Sequence, residues 1–167
     1  MSLTPHIEIR IETADFDVGA EMHALYGRAR GRSTGSIGAV VSFTGLVRDR
    51  ASDQASSADV SGLFLEHYPG MTEASIRKFT DLACERWPLT DVLILHRVGL
   101  LAPSAQIVYV QVASAHRSAA FAGAQFLMDY LKTDAVFWKR EQREVDDRWV
   151  EATGEDRQRR EAWQTDN

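Results

Sequence analysis

The sequence contains very little lysine. Only three of its 19 basic residues are lysines, Lys78, Lys132 and Lys139, and the rest are arginines. Lys132 and Lys139 lie in one short segment, DYLKTDAVFWKRE (129–141). Arginine is effectively always charged, whereas lysine can be shifted toward neutrality and used as an acid, base or nucleophile. The pair therefore indicates either amine chemistry or a chance clustering of two solvated surface charges.

Cysteine is scarce and long hydrophobic runs are absent. A single cysteine, Cys84, excludes an internal disulfide and a cysteine-cluster metal site. It lies inside a predicted helix without a histidine nearby in sequence, which favours a small buried hydrophobe over a nucleophile. No apolar run approaches the roughly 18 residues that a membrane-spanning helix needs, and the N-terminus lacks a signal-peptide pattern. These absences predict a cytoplasmic protein.

The chain also lacks an excess of positive charge. Its formal net charge is −5, which argues against a broad nucleic-acid surface but leaves room for a local basic pocket. There is no Walker loop, no GxGxxG and no Gly-x-Ser-x-Gly elbow, so the common nucleotide and serine-hydrolase sites are excluded. The histidines show no metal-ligand spacing, and no metal is predicted.

The apolar pattern predicts one α+β domain, since 167 residues with 44% hydrophobic residues suit a single globular core. Strands are predicted at residues 6–12, 37–44, 63–67, 92–98 and 107–113. Helices are predicted at residues 17–28 with Asp17 as N-cap, at residues 72–86 with Thr72 as N-cap, and from Ser118 onward.

Two polar stretches fall outside this pattern. Residues 49–61 have almost nothing to bury and predict a mobile loop that becomes ordered when a ligand binds. From Gly154 onward the chain is charged, with Trp163 as its only large apolar residue, which predicts a frayed tail or a partner-contacting arm. The predicted division is therefore a domain at residues 1–153 and a tail at residues 154–167.

Two positions favour an anion. The segment SAHR (114–117) lies where a strand passes into a helix, and the free N–H groups of a helix start attract negative charge. Arg117 could grip a phosphate and His116 could transfer a proton, although His116 could equally cap the helix beside a solvated Arg117. At FTGLVR (43–48), Gly45 permits close backbone approach and Arg48 follows at the strand end.

The two lysines could meet in one cleft in either of two geometries. One helix could run through both and place them on the same face, or, as the residues after Lys132 indicate, the helix could end near Thr133 before an extended piece that carries Lys139. Phe137 and Trp138 form an apolar wall beside Lys139 that would lower its pKa by desolvation, or they are simply core residues. Elsewhere, His67 and His96 are interpreted as hydrogen-bonded structural histidines at strands or strand ends.

Seven segments of the sequence resemble the large, catalytic subunit of molybdopterin synthase and occur in the same order as in that family. They cover roughly residues 35–152 and read FTGLVR (43–48), LEHYPGMTE (65–73), HRVG (96–99), SAHR (114–117), DYLKT (129–133), FWKRE (137–141) and DRWVEA (147–152). The resemblance implies an α+β fold of the α/β-hammerhead type with additional antiparallel strands. It implies a sulfurtransferase of molybdenum cofactor biosynthesis that converts cyclic pyranopterin monophosphate to molybdopterin.

The resemblance also implies partners. Sulfur arrives as a thiocarboxylate on the C-terminal Gly-Gly of a small ubiquitin-like subunit, and the large subunits form a homodimer within a heterotetramer. This chain ends in QTDN (164–167) without a Gly-Gly tail, so the carrier is predicted to be a separate protein. No cofactor is required by the predicted step.

Site roles follow from the same resemblance. Lys132 and Lys139 match the catalytic lysines, with Lys132 stabilising the thiocarboxylate and the oxyanion formed as sulfur leaves, and Lys139 orienting the pterin and transferring protons. The predicted substrate-binding residues are Leu46, Val47, Arg48, His116, Arg117, Lys132, Lys139, Arg140 and Glu141. Val136 stands where the family often has proline, which loosens the expected preorganisation of Lys139.

Two other functions compete with sulfur transfer. One is a non-catalytic assembly module that keeps the docking surfaces, against which both lysines argue. The other is a phosphate-ester hydrolase using His116, for which the sequence offers no carboxylate orienter and no metal set.

Overall fold

The computed structural model describes residues 4–31, 36–48, 60–143 and 148–165. The α+β class predicted from the sequence is confirmed. In chain order the elements are β1 His6–Glu12, α1 Val18–Gly31, β2 Ala39–Leu46, β3 Val60–His67, α2 Met71–Arg86, β4 Leu89–Arg97, β5 Gly99–Leu101, β6 Gln106–Ser114, α3 Arg117–Thr133, β7 Phe137–Arg143, β8 Arg148–Val150 and α4 Gly154–Thr165. Of the predicted mobile loop at residues 49–61, residues 49–59 lie outside the described residues, and residues 60 and 61 begin β3.

The first sheet has the order β1-β4-β6-β2 and contains the main core. β1 runs parallel to β4, whereas β6 is antiparallel to both β4 and β2. Alternate residues of a strand face opposite sides. Accordingly Val92 and Ile94 pack in the cluster that includes residues of α2 and α3. Leu93 and Leu95 face the other side, with Tyr109 and Phe16.

The second sheet has the order β5-β3-β7-β8, and all its pairs are antiparallel. Leu65 in β3 and Leu101 in β5 are buried with Val47, which follows β2. This small cluster joins the end of β2, in the first sheet, to the second sheet. The C-terminal ends of β2 and α3 therefore lie beside β7, which carries Lys139.

The C-terminal segment forms helix α4, which packs against α3, and so differs from the expected frayed tail. The Trp163 indole N–H donates to Asp129 at 2.8 Å, and its ring contacts Phe126 edge-on with centroids 5.6 Å apart. Arg160 makes two hydrogen bonds to Asp134 at 3.0 and 2.7 Å. The predicted boundary after residue 153 coincides with the first residue of α4.

Local details of the helices confirm one predicted cap and correct another. The Asp17 carboxylate accepts the backbone N–H groups of Gly19 and Ala20 at 2.8 and 3.1 Å, which confirms the cap of α1. Thr72 was predicted to cap α2, but the N-cap is Gly70. The Thr72 hydroxyl accepts the Tyr68 N–H and donates to the Val136 carbonyl at 2.7 Å, so its role is tertiary.

Cys84 behaves as the sequence predicts. It packs against the main core, and burial raises the pKa of its thiol to about 11, which makes it a poor nucleophile. Among the described helices none is both long and apolar enough to cross a membrane.

Substituting Gly38 by alanine should destabilise the fold. A Cβ at Gly38 would lie 2.3 Å from the Ala115 carbonyl oxygen, so the backbone before α3 must move. We expect a loss of about 1–3 kcal/mol in the free energy of unfolding, measured by urea denaturation. Gly27→Ala in α1 is the matched control, because nothing lies within 4 Å of its Cβ. The control should gain about 0.5–1 kcal/mol through helix propensity. Equal effects of the two substitutions would contradict the steric explanation.

Candidate active site

A cavity of about 550 Å³ lies where the two sheets meet the C-terminal end of α3 and the start of α4. Six of the predicted substrate-binding residues line it: Leu46, Val47, Arg48, Lys132, Lys139 and Glu141. The volume is within the range of cavities that bind small organic ligands. The cavity is therefore the candidate active site.

The end of β2 brings Arg48 to the cavity. A Cβ at Gly45 would lie 2.7 Å from Cγ1 of Val108, so the absent side chain allows a close approach to β6, whereas the sequence predicted an approach to an anion. The register shifts after Gly45. Val47 then donates its N–H to the Ala105 carbonyl at 2.9 Å, and its own carbonyl accepts the Ser104 N–H at 2.8 Å. These bonds fix the backbone immediately before the exposed Arg48 guanidinium.

The two lysines come from different elements, as the sequence predicted. Lys132 lies in the last turn of α3, and Lys139 lies in β7. Between them the hydrogen bond from Thr72 to the Val136 carbonyl ties the turn to α2. Proline would have restricted the backbone at position 136, and this tertiary bond supplies another restraint at the same residue. Both amines reach the same cavity.

The pKa of Lys139 is lowered. The main cause is burial, which disfavours the charged amine, and the positive charge of Lys132 acts in the same direction. The negative charge of Asp156 acts in the opposite direction but is a smaller influence. The sequence predicted this direction from the apolar wall beside Lys139. Of that wall, Phe137 packs toward the core whereas Trp138 is 50% exposed.

Lys132 is paired with a carboxylate that the sequence did not identify. Its Nζ lies 3.3 Å from Oδ1 of Asp156 in α4, and the Asp156 residue is only 6% exposed. The same carboxylate accepts the Thr153 hydroxyl and N–H at 2.7 and 3.1 Å and is bonded by Arg159. Burial opposes the ionisation of Asp156, but these hydrogen bonds and the nearby cations outweigh it and lower the pKa to about 2.

Arg140 and Glu141 face different surroundings because neighbouring residues of a strand point to opposite sides. Glu141 is buried and lines the cavity. The Arg140 guanidinium instead lies over the rings of Phe64 and Trp149, at 5.3 and 5.9 Å from their centroids. Arg140 is not among the residues that line the cavity.

His116 and Arg117 lie at the opposite end of α3. Both are exposed, and His116 occupies the N-cap position without a hydrogen bond from its side chain to the helix. Fifteen residues separate Arg117 from Lys132, which corresponds to roughly 22 Å along a helix that rises 1.5 Å per residue. Within one chain the two residues therefore do not join the cavity that holds the lysines.

Comparisons with known proteins identify the family. The MoaE protein family matches residues 11–134. The molybdopterin synthase catalytic subunit of Ralstonia nicotianae is 52% identical over 145 residues, 86% of this chain and 77% of the relative. The chain belongs to the MoaE family. A solved structure of the molybdopterin biosynthesis MoaE protein of Burkholderia ambifaria MC40-6 superposes with a TM-score of 0.77 at 44% identity, over 96% of this chain and 99% of that one.

A more distant solved structure has the same fold. A complex of subunits 1 and 2 of the molybdopterin-converting factor of Helicobacter pylori 26695 matches with a TM-score of 0.64 at 17% identity, over 86% of this chain and 89% of that chain. The family match and the Ralstonia nicotianae relative confirm the resemblance to molybdopterin synthase catalytic subunits, the enzyme class and the place in molybdenum cofactor biosynthesis.

A second cavity of about 330 Å³ adjoins the first in this MoaE chain. Lys132 and Lys139 line both cavities, so the two amines lie on the wall between them. The second cavity is also bordered by Trp138 and Trp149, whose rings meet edge-on with centroids 5.7 Å apart. Reagents in the two cavities could therefore approach the same two amines from different sides.

Replacing Asp156 by asparagine should reduce stability in a pH-dependent way. The folded pKa near 2 is below the ordinary value of 3.8, so the carboxylate stabilises the fold above about pH 4, and this contribution is lost as the pH falls toward 2. Asp156→Asn should lower the free energy of unfolding by about 2 kcal/mol at pH 7 and by much less at pH 2.5, measured by urea denaturation.

Asp134→Asn is the matched control for this experiment. It removes a bidentate partner of Arg160 on the same helix but leaves Lys132 and Thr153 untouched. Because this pair is partly exposed, its loss should cost less than about 1 kcal/mol. If Asp156→Asn lowered the free energy of unfolding equally at pH 7 and at pH 2.5, the result would contradict an electrostatic origin of this stabilisation.

Proposed function

We propose that this chain transfers sulfur from the thiocarboxylate of a small carrier protein to cyclic pyranopterin monophosphate, giving the dithiolene of molybdopterin. The observation that carries the proposal is the meeting of Lys132 and Lys139 with Arg48 on one cavity. Three cationic side chains suit a substrate that bears a phosphate and a donor that bears a thiocarboxylate. We place this reaction in the cytoplasm, in keeping with a biosynthetic family.

The carrier is proposed to be a separate small ubiquitin-like subunit. The related Helicobacter pylori structure is a complex of two subunits of a molybdopterin-converting factor, which supports a two-component enzyme. We assign the larger cavity to the pterin and the smaller one to the carrier tail. A Gly-Gly terminus has no side chains, so it fits a narrow passage beside Trp138 and Trp149.

Each lysine receives a role that its surroundings support. Each of two carriers donates one sulfur of the dithiolene. In the first step of a transfer, the thiocarboxylate sulfur bonds to a carbon of the substrate and the carbon–oxygen bond at that carbon breaks, so that the oxygen leaves with a proton or remains on the phosphate. In the second step, water attacks the acyl carbon of the carrier, the bond from that carbon to sulfur breaks, the terminus becomes a carboxylate and the sulfur stays on the substrate. Lys132 stabilises the thiocarboxylate and the oxyanion formed in that second step. Lys139 orients the pterin and transfers protons, a role that suits an amine whose pKa is lowered by burial. Glu141 completes the binding edge from β7, whereas Arg140, predicted from the sequence to bind substrate, lies on the other side of the strand over Phe64 and Trp149.

His116 and Arg117 are proposed to act across a homodimer. Their distance from Lys132 along α3 excludes a shared site within one chain, so a second copy must supply them if they bind the phosphate. Exposed apolar side chains support such an interface: Phe43 is 42% exposed, Leu46 52% and Phe121 64%. Phe121 lies one turn beyond Arg117 on α3. A dimer interface formed by these apolar side chains would bury them and would lie close to His116 and Arg117.

Removing the Lys132 amine should nearly abolish turnover. We expect Lys132→Ala to reduce the rate of dithiolene formation by about two to three orders of magnitude, because a donor to a developing oxyanion contributes roughly 3–4 kcal/mol. The assay combines the purified chain, the thiocarboxylated carrier and cyclic pyranopterin monophosphate. Lys78→Ala is the control, since Lys78 is exposed on α2 and outside both cavities.

The outcomes of the reconstitution separate the rival functions. Near-normal turnover by Lys132→Ala would remove the proposed role of this amine. A wild-type chain that binds the carrier but forms no product would favour a non-catalytic assembly module. Release of phosphate from the pterin without the carrier would favour a phosphate-ester hydrolase.

Mixed dimers test the proposed contribution of the second copy. A Lys132→Ala chain and an Arg117→Ala chain should each be nearly inactive alone. If Arg117 acts across the interface, a mixed dimer has one site with both residues intact, and random mixing in equal amounts should restore about a quarter of wild-type activity. The measurement is the initial rate after co-refolding the two variants. Absence of recovery despite mixed-dimer formation would contradict a contribution of Arg117 to the site of the other copy.

A further inference from the structure

His96 is a buried polar residue of the cavity that the proposed mechanism does not use. It lies near the end of β4, is 6% exposed, and lines the larger cavity with Lys132 and Lys139. The sequence suggested a hydrogen-bonded structural histidine. The structure confirms that hydrogen bond, and it also leaves the second nitrogen of the ring available for another partner.

The hydrogen bond determines which nitrogen carries the proton. Nδ1 of His96 lies 2.9 Å from the backbone carbonyl oxygen of Arg97. A carbonyl oxygen only accepts hydrogen bonds, so Nδ1 must carry the hydrogen. In a neutral imidazole the other nitrogen, Nε2, then has a free lone pair and can only accept.

The ring is neutral at the pH of a cytoplasmic reaction. Burial lowers the pKa of His96 to about 3. The hydrogen bond to the Arg97 carbonyl acts against burial but is outweighed by it, and the charges of Lys139 and His67 are smaller influences that lower the pKa further. His96 is therefore not a cation that would repel the neighbouring amine of Lys139. It is a poor proton carrier at neutral pH, but a neutral Nε2 is a good hydrogen-bond acceptor.

The orientation of the ring is fixed on several sides. Phe137 stacks on it with centroids 3.9 Å apart and planes at 20°. The backbone of His96 is held between Ile11 of β1 and Val108 of β6. Among the described residues no hydrogen bond uses Nε2, and Nε2 is not one of the buried polar atoms without a partner, so this nitrogen keeps some accessible surface on a residue that lines the larger cavity.

We propose that His96 is a further substrate-binding residue, whose Nε2 accepts a hydrogen bond from an N–H group of the pterin ring system. The inference rests on the proposed function, because it assumes that the larger cavity holds the pterin. Arg48, Lys132 and Lys139 recognise negative charge but cannot recognise a donor. A fixed neutral acceptor selects a heterocycle with an N–H edge over another phosphorylated compound of similar size.

Three acidic side chains also line the cavity. Glu141 is buried, but it already has an interaction of its own and, as a carboxylate, suits a cation as well as an N–H group. Asp156 is already bonded by Thr153, Arg159 and Lys132. Glu151 is exposed to solvent and so competes with water for any donor. His96 combines burial, fixed orientation and an uncharged acceptor, which are the properties that make a hydrogen bond selective.

Two substitutions separate the acceptor from the structural bond. The amide of asparagine can take the place of Nδ1 and keep the donor to the Arg97 carbonyl, but it is too short to reach the position of Nε2. Glutamine is longer and can place its amide oxygen near the position of Nε2. His67→Asn is the matched control, because His67 ends β3 in the second sheet and lines neither cavity.

The measurement is the Kd of cyclic pyranopterin monophosphate for the full chain, by calorimetry, without the carrier. His96→Asn should weaken binding about tenfold, as expected for one lost hydrogen bond in a buried site, while His96→Gln should remain within about threefold of wild type. The Kd of the carrier protein and the Kd of the pterin for His67→Asn should not change. Thermal denaturation of each variant verifies that it is folded.

Each other outcome overturns the assignment in an identifiable way. Equal losses in His96→Asn and His96→Gln would make His96 a structural residue only. An unchanged pterin Kd with reduced turnover in His96→Asn would mean that Nε2 positions Lys139 instead of substrate. If wild type itself does not bind the pterin, the proposed function fails together with this inference, whereas tight binding by wild type and His96→Asn alike overturns the inference alone.

Discussion

The close packing of helix α3 on the first sheet determines where both ends of the proposed site lie. Gly123 makes this possible, since a Cβ there would lie 3.0 and 3.1 Å from the methyl groups of Leu89. Phe126 and Leu127 are fully buried on the same helix, and α2 and α4 cover its remaining sides. Lys132 at one end and Arg117 at the other are therefore positioned by apolar packing, which supplies far more free energy than their own polar contacts.

Burial has three different results for the ionisable groups of the cavity. For Lys139 it disfavours the charge, and Lys132 adds to the effect. For His96 a single backbone bond is too weak to oppose burial, so the ring stays neutral. For Asp156 several hydrogen bonds and cations outweigh burial, so the carboxylate stays charged. The same desolvated space thus contains an amine with a lowered pKa, a neutral acceptor and a fixed anion, because the number of hydrogen bonds differs at each group.

Periodicity and resemblance were enough to predict the fold class, the strand-to-turn position of Gly45 and Arg48, and the meeting of the two lysines. These features depend on local pattern, since a buried strand, a helix end and a following strand are visible in the sequence. Thr72 shows where local rules fail: its hydroxyl satisfies the carbonyl of Val136, 64 positions away. Asp156 was missed because it lies in a charged segment, and only the packing of Trp163 and Arg160 on α3 shows that this segment is folded.

Helix α4, near the C-terminus, supplies the carboxylate that pairs with Lys132. The MoaE match ends at residue 134, yet the carboxylate nearest to Lys132 belongs to α4. This helix has little apolar surface of its own, so it stays in place through Trp163, through the two bonds between Arg160 and Asp134, and through the bond from Arg86 to the Trp163 carbonyl at 2.7 Å. Any change that detaches α4 would consequently remove Asp156 from Lys132 but would leave the lysine itself on α3. The pairing of Lys132 with a carboxylate is therefore more easily lost than the position of Lys132.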